Sequence, residues 1–203
     1  MKWKVCGMKQ PENILDIAAH SPTYMGFIFW EPSPRYMDQP LPEGLSSKLQ
    51  KVGVFVDATE AEIRTRIDQY KLQAVQLHGQ ESPDFCAKLR SPHLQVIKAF
   101  SVGSHFDFDR LTPYTDACDF FLFDTQGPKP GGNGTTFDWT LLNDYPLTKP
   151  FFLSGGIGLE DLPKIHTLTK TTLPIHAIDV NSKFEREPGI KNSALIHQLK
   201  QQL

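Results

Sequence analysis

Eight short apolar runs, at residues 3–6, 25–29, 52–56, 74–77, 94–97, 120–123, 151–153 and 175–180, punctuate this chain of 203 residues from one end to the other. Runs this short, bounded by turn chemistry, suit strands that are covered on both faces, as in a parallel sheet. Parallel neighbours need crossover connections, and the segments between the runs carry helical signals. Thr59-Glu60-Ala61-Glu62 is a capping box, followed by Ile63, Ile67 and Tyr70 at helical spacing. Ser82-Pro83 reads as a cap and first turn ahead of Phe85, Cys86 and Leu89, and Pro11 opens a stripe of Ile14, Ile17 and Ala18. Leu162, Ile165 and Leu168 mark another helix, and Leu195, Ile196, Leu199 and Leu203 the last. Helices near residues 45–49, 106–111 and 138–142 are expected more from the alternation than from their own residues.

Eight repeats leave about 25 residues each, enough for a strand, a short helix and two tight loops. The expected fold is therefore α/β, a small (β/α)8 barrel of the TIM type, in a single domain over residues 1–203. Gly156-Ile157-Gly158 lacks the third glycine of a dinucleotide fingerprint and no Walker lysine motif occurs, so no nucleotide cofactor is expected.

Composition excludes several partners. A formal net charge of −2 offers no surplus to neutralise a nucleic-acid backbone. No apolar run approaches the ~20 residues that cross a bilayer, so no membrane partner is expected. The opening residues, Met1 to Gly7, lack the apolar stretch of a secretory signal, which makes the cytoplasm the expected compartment. Cys6, Cys86 and Cys118 are odd in number and scattered, so they read as reduced thiols rather than a disulfide framework or zinc site. No metal is expected, and the oligomeric state, monomer or homodimer, stays open.

In a barrel of this type chemistry lies where the strands end and the βα loops converge. Cys6 ends the first run, Arg35 follows the second, Asp57 ends the third and His78 the fourth. Asp124 ends the sixth, Gly155 and Gly156 follow the seventh, and Asp179-Val180-Asn181-Ser182 closes the eighth. Each has a plain structural reading: a buried thiol, a loop-capping aspartate, a surface arginine, a turn glycine. Cys86 and Cys118 keep that reading.

Together the strings are specific: Lys4-Val5-Cys6-Gly7-Met8, Gly26-Phe27-Ile28-Phe29 leading to Ser33-Pro34-Arg35-Tyr36, Val52-Gly53-Val54-Phe55-Val56 and Val75-Gln76-Leu77-His78-Gly79. Phe123-Asp124, Gly131-Gly132-Asn133-Gly134, Phe137-Asp138-Trp139, Ser154-Gly155-Gly156 and Ile178-Asp179-Val180-Asn181-Ser182 follow, before Glu185, Pro188-Gly189 and Lys191. In order and spacing, over essentially the whole chain, the set resembles the phosphoribosylanthranilate isomerases, barrel enzymes of tryptophan biosynthesis.

The resemblance implies an Amadori rearrangement of a phosphorylated small-molecule aminoaldose to the aminodeoxyketose, with no cofactor. It assigns Asp124 as general acid for the ring oxygen and Cys6 as general base for the C2′ proton. It implies Arg35, with His78 beside it, at the anthranilate carboxylate, Gly155, Gly156, Asn181 and Ser182 around the sugar phosphate, and Asp179 as a further substrate-binding residue. The loop over residues 126–134 is a candidate cover. Asn133, Ser154, Asn181 and Lys183 depart from the residues common in the family. Two rivals remain at this stage: a related sugar-phosphate barrel such as indole-glycerol-phosphate synthase, for which Lys98 is the one suggestive residue, and a non-catalytic barrel binding a phosphorylated metabolite.

Overall fold

The eight expected strands all form in the computed structural model, which describes residues 1–126 and 137–203. They are β1 (Lys2–Val5), β2 (Tyr24–Ile28), β3 (Gln50–Phe55), β4 (Ala74–Leu77), β5 (Gln95–Val102), β6 (Phe120–Thr125), β7 (Phe151–Leu153) and β8 (Ile175–Val180). They pair in chain order and in parallel, with β8 returning to β1 to close the barrel. Beyond Gln126, the expected cover at residues 126–134 lies outside the described residues.

Alternation along each strand sorts the side chains. Trp3, Val5, Met25, Phe27, Phe121, Phe123, Phe151, Ile178 and Val180 point outward into the core shared with the helices. Tyr24, Val52, Ala74, Ile97, Phe120, Leu122, Phe152 and Ala177 form a separate cluster, the packed interior of the barrel.

Among the described residues five α-helices cover the outside: α1 (Pro11–Ala18), α2 (Glu60–Tyr70), α3 (Pro83–Leu89), α4 (Leu162–Leu168) and α5 (Ser193–Gln202). The capping box at α2 is present in both directions, Thr59 N–H donating to Glu62 Oε2 at 2.8 Å and Glu62 N–H to Thr59 Oγ1 at 3.3 Å. Ser82 Oγ caps α3 by accepting from Phe85 N–H. No helix in the described residues is long and apolar enough to cross a membrane.

Three weaker helices come out differently. After β5 and before β7 the chain forms 3-10 helices, Phe108–Tyr114 and Trp139–Asp144. Each starts with an aspartate, Asp107 or Asp138, accepting from the N–H two residues on, a local bond that competes with the α-helical pattern. Between β2 and β3 the expected helix at residues 45–49 does not form, and the segment is turns and irregular chain. Within residues 45–49 Ser46 Oγ accepts from Lys48 N–H at 3.2 Å, a local bond that competes with the helical pattern, and Pro32, Pro34, Pro40 and Pro42 keep the chain ahead of it from forming a helix that could extend through it. The sequence reading also missed a small antiparallel hairpin after β8, made of β9 (Glu185–Glu187) and β10 (Ile190–Lys191).

Candidate active site

The interior column of each strand changes character toward its carboxyl end. Phe120 and Leu122 share their face with Asp124, Ala74 with Gln76 and His78, Phe152 with Ser154, and Ala177 with Asp179. Above the apolar layers these side chains line a cavity of about 470 Å³. The nine residues that the resemblance assigns to the site all reach it: Cys6, Arg35, His78, Asp124, Gly155, Gly156, Asp179, Asn181 and Ser182. Asp57 does not. Its carboxylate accepts from Gln80 N–H and its own N–H donates to Glu81 Oε1, so it ties two loops together.

Cys6 is held at the end of β1 by its N–H, which donates to Val180 O at 2.9 Å. Gly26 on β2 makes room for the thiol, since a Cβ there would come within 2.7 Å of Sγ. Two residues back on the same inward face, Lys4 is fully buried, and its ammonium donates to Asp179 Oδ2 at 2.8 Å. Burial alone would depress Lys4, but Asp179 and Cys6 together hold its ammonium above the ordinary value. Burial likewise pushes the Cys6 thiol up, with Lys4 pulling against it and Asp179 adding to the rise. Lys4 is thus the main group that favours the thiolate, with Lys191 acting in the same direction.

Asp124 is 5% exposed on β6. Ser154 Oγ lies 3.4 Å from its Oδ1, and His78 Nε2 lies 3.3 Å from Oδ2 without the alignment of a hydrogen bond. Gln76 Nε2 donates to His78 Nδ1 at 2.9 Å, which puts the proton of a neutral ring on Nε2, the nitrogen facing Asp124. Among the described residues, three buried atoms in this cavity have no partner: Gln76 Oε1, His78 Nε2 and Asp179 Oδ1. A buried polar atom with no partner is destabilising by about 1–3 kcal/mol, so a polar ligand is the expected fourth party.

Trp30, Ile28, Val54 and Val56 give the cavity an apolar wall beside Arg35. At the opposite strand ends, Gly155 and Gly156 adopt φ of 95° and 60°, in the left-handed region that only glycine enters freely. A Cβ on Gly155 would also come within 2.6 Å of the Thr125 backbone nitrogen.

Sequence reasoning missed Lys4, Gln76, Trp30, Glu185 and Lys191 as parts of this region. Lys4 and Gln76 were legible as inward residues on strands ending in Cys6 and His78. Trp30 had no local signal, and Glu185 and Lys191 stood among the residues that carry the resemblance without a role assigned to them. Lys98, on which the synthase reading depends, does not line the cavity. Its ammonium is buried on the outer side of β5, donating to Glu81 Oε2 at 3.0 Å and to the carbonyls of Leu77, Gly79 and Ala99.

Comparison with known proteins gives the family. The chain is 41% identical over 194 residues to the N-(5′-phosphoribosyl)anthranilate isomerase of Parabacteroides distasonis, covering 93% of this chain and 87% of that one. The crystal structure of phosphoribosyl anthranilate isomerase from Thermus thermophilus superposes with a TM-score of 0.86 at 26% identity, covering 100% of this chain and 98% of that one. A second solved phosphoribosyl anthranilate isomerase, in complex with reduced 1-(o-carboxyphenylamino)-1-deoxyribulose 5-phosphate, gives a TM-score of 0.82 at 28% identity, with 100% and 97% covered. The family model described as N-(5′-phosphoribosyl)anthranilate (PRA) isomerase matches residues 3–202, and the chain belongs to that family.

Proposed function

We propose that this chain converts N-(5′-phosphoribosyl)anthranilate to 1-(2-carboxyphenylamino)-1-deoxyribulose 5-phosphate, with Asp124 as general acid and Cys6 as general base. The observation that carries the assignment is that these two buried proton-transfer groups, supplied by β6 and β1, line one cavity of substrate size.

Asp124 gives its proton to the furanose ring oxygen, the C1′–O bond breaks, and the anilino nitrogen's lone pair forms the iminium at C1′. Cys6 then takes the C2′ proton, and the electrons of that C–H bond become the C1′–C2′ double bond of the enolamine. Tautomerisation to the ketone moves the C2′ hydroxyl proton away and adds one at C1′, so substrate and product differ by no protons and both groups can reset. The Lys4 ammonium supports Cys6 in its thiolate form, and the Nε2 proton of His78 faces the carboxylate left on Asp124.

The remaining residues hold the substrate. The aryl ring lies against Trp30, Ile28 and Val54, and the Arg35 guanidinium takes the anthranilate carboxylate. Asp179 Oδ1, buried and without a partner among the described residues, accepts from a sugar hydroxyl. The phosphate sits at the ends of β7 and β8, where Gly155, Gly156, Asn181 and Ser182 bring main chain close to the cavity. We assign the cytoplasm as the compartment, which suits three free thiols.

Freshly made phosphoribosylanthranilate fluoresces through its aromatic amine and loses that emission on conversion. The purified chain is expected to accelerate the decay in proportion to its concentration. A folded chain that leaves the decay at the spontaneous rate contradicts the reading.

A further inference from the structure

The hairpin after β8 reaches back over the barrel mouth and ends on Arg35. Glu185, at the start of β9, accepts from Arg35 Nε at 2.9 Å and from Nη2 at 2.7 Å, a two-point grip on one edge of the guanidinium. Its side chain is 5% exposed and that of Arg35 13%. Lys191, at the end of β10 and with its side chain fully buried, places its ammonium on the same Glu185 carboxylate and donates to Asn181 Oδ1 at 2.7 Å. Gly189 N–H adds a further bond to Glu185 at 3.0 Å.

A guanidinium has five N–H donors in one plane. Glu185 occupies the edge made by Nε and Nη2. Among the described residues Nη1 donates to none, and Arg35 lines the cavity. The edge left over is the fork of Nη1 with the second Nη2 hydrogen, whose geometry matches a carboxylate. The stem is fixed too: Gly7, at φ of 73°, has no room for a Cβ, which would fall 2.7 Å from Arg35 Cδ.

Gripping an arginine with a carboxylate carries an electrostatic penalty, because it cancels the charge an anionic ligand needs. Lys191 restores it: Arg35, Glu185 and Lys191 together carry one net positive charge. Burial alone would raise Glu185, but Arg35 and Lys191 hold it below the ordinary carboxylate value, so it stays an anion.

We propose that Glu185 and Lys191 are positioning residues that fix which edge of Arg35 meets the substrate, and so set the enzyme's preference for an aryl amine bearing an ortho carboxylate. This rests on Arg35 being the carboxylate clamp. Without Glu185 the guanidinium turns about its stem and presents either edge. Without Lys191 the grip survives but the site loses its net charge.

The test compares two substrates, the aminoaldoses made from ribose 5-phosphate with anthranilate and with aniline, and reads the ratio of their kcat/KM values. Glu185→Gln is expected to lower that ratio about tenfold, mostly through KM of the carboxylated substrate. In an Arg35→Ala background the same substitution is expected to lower it no further. Lys191→Gln, which leaves the carboxylate in place, is expected to act in the same direction and serves if Glu185→Gln lowers the melting temperature too far. A wild-type ratio in both variants overturns the proposal, as does an equal drop with and without Arg35. If Arg35→Ala itself keeps the wild-type ratio, the clamp reading fails instead, and if the wild type converts neither substrate, the isomerase reading does.

Discussion

At the amino ends of the strands the barrel interior is filled by Tyr24, Val52, Ala74, Phe120, Phe152 and Ala177, whereas a few residues further along the inward positions hold Lys4, Gln76, Asp124, Ser154 and Asp179. Among the described residues the floor has the contact of Tyr24 OH with His176 Nε2 at 2.8 Å, set among the rings of Phe120 and Phe152, and one partnerless atom, Gln95 Oε1 at the start of β5. The mouth has a buried ion pair, a buried thiol, a buried aspartate and, among the described residues, three polar atoms without partners. Large apolar side chains each stabilise by about 1.5–3 kcal/mol when buried, and each orphaned polar atom offsets about 1–3. Stability and reactivity are therefore divided between two layers of the same strands, and the floor lets the mouth stay unsatisfied until a ligand arrives.

If that division is real, substitutions in the two layers separate cleanly. The largest effect belongs to the mouth: Cys6→Ser and Asp124→Asn are each expected to lower kcat by at least about 10²-fold, with the melting temperature and KM little changed. Steady-state kinetics alongside thermal melts checks both halves of the statement. On the floor, Phe152→Ala is expected to remove about 3–5 kcal/mol of stability while each folded molecule keeps its turnover. Urea unfolding combined with an active-site titration reads this, and a large loss of kcat with full stability would break the division.

The ion pair sharpens the contrast. Lys4→Met alone strands a buried carboxylate and is expected to destabilise by about 3–5 kcal/mol. Replacing both partners, Lys4→Met with Asp179→Leu, is expected to bring stability back to within about 1–2 kcal/mol of the wild type or above it, yet to leave kcat depressed. Recovery of both stability and turnover in the double variant would show that the pair has only a structural part.

A smaller effect concerns acid. Burial, helped slightly by Lys2, pulls His176 down to about 4 from an ordinary value near 6.5. Below 6.5 the unfolded chain binds a proton that the folded floor refuses, so stability falls as pH drops from about 6.5 toward 4. His176→Phe is expected to flatten that part of the stability profile in urea titrations at a series of pH values. The smallest expected effect is at Ser154→Ala, whose 3.4 Å contact to Asp124 is long enough that kcat should change by less than about threefold.

The floor and the strands were legible in the sequence because each rests on a local pattern. Eight apolar runs gave eight strands, and residues at their carboxyl ends gave Cys6, His78, Asp124 and Asp179, since a fixed alternation decides which side chains face inward. What escaped were relations set by chain closure. Lys4 meets Asp179 across 175 positions of sequence and Arg35 meets Glu185 across 150, distances at which no spacing carries information. The segment after β2 escaped for a different reason: the repeat called for a helix at residues 45–49, but the chain there is turns, with Ser46 Oγ accepting from Lys48 N–H, and the residues ahead of it bring Trp30 and Arg35 to the cavity.

A crystal structure of this chain with reduced 1-(2-carboxyphenylamino)-1-deoxyribulose 5-phosphate puts the central claim to the most direct test. The account predicts Cys6 Sγ in contact with C2′ on one side of the opened sugar and an Asp124 oxygen roughly 3 Å from the hydroxyl that was the ring oxygen on the other. A ligand seated elsewhere, or seated here with either side chain out of reach of those atoms, would contradict it.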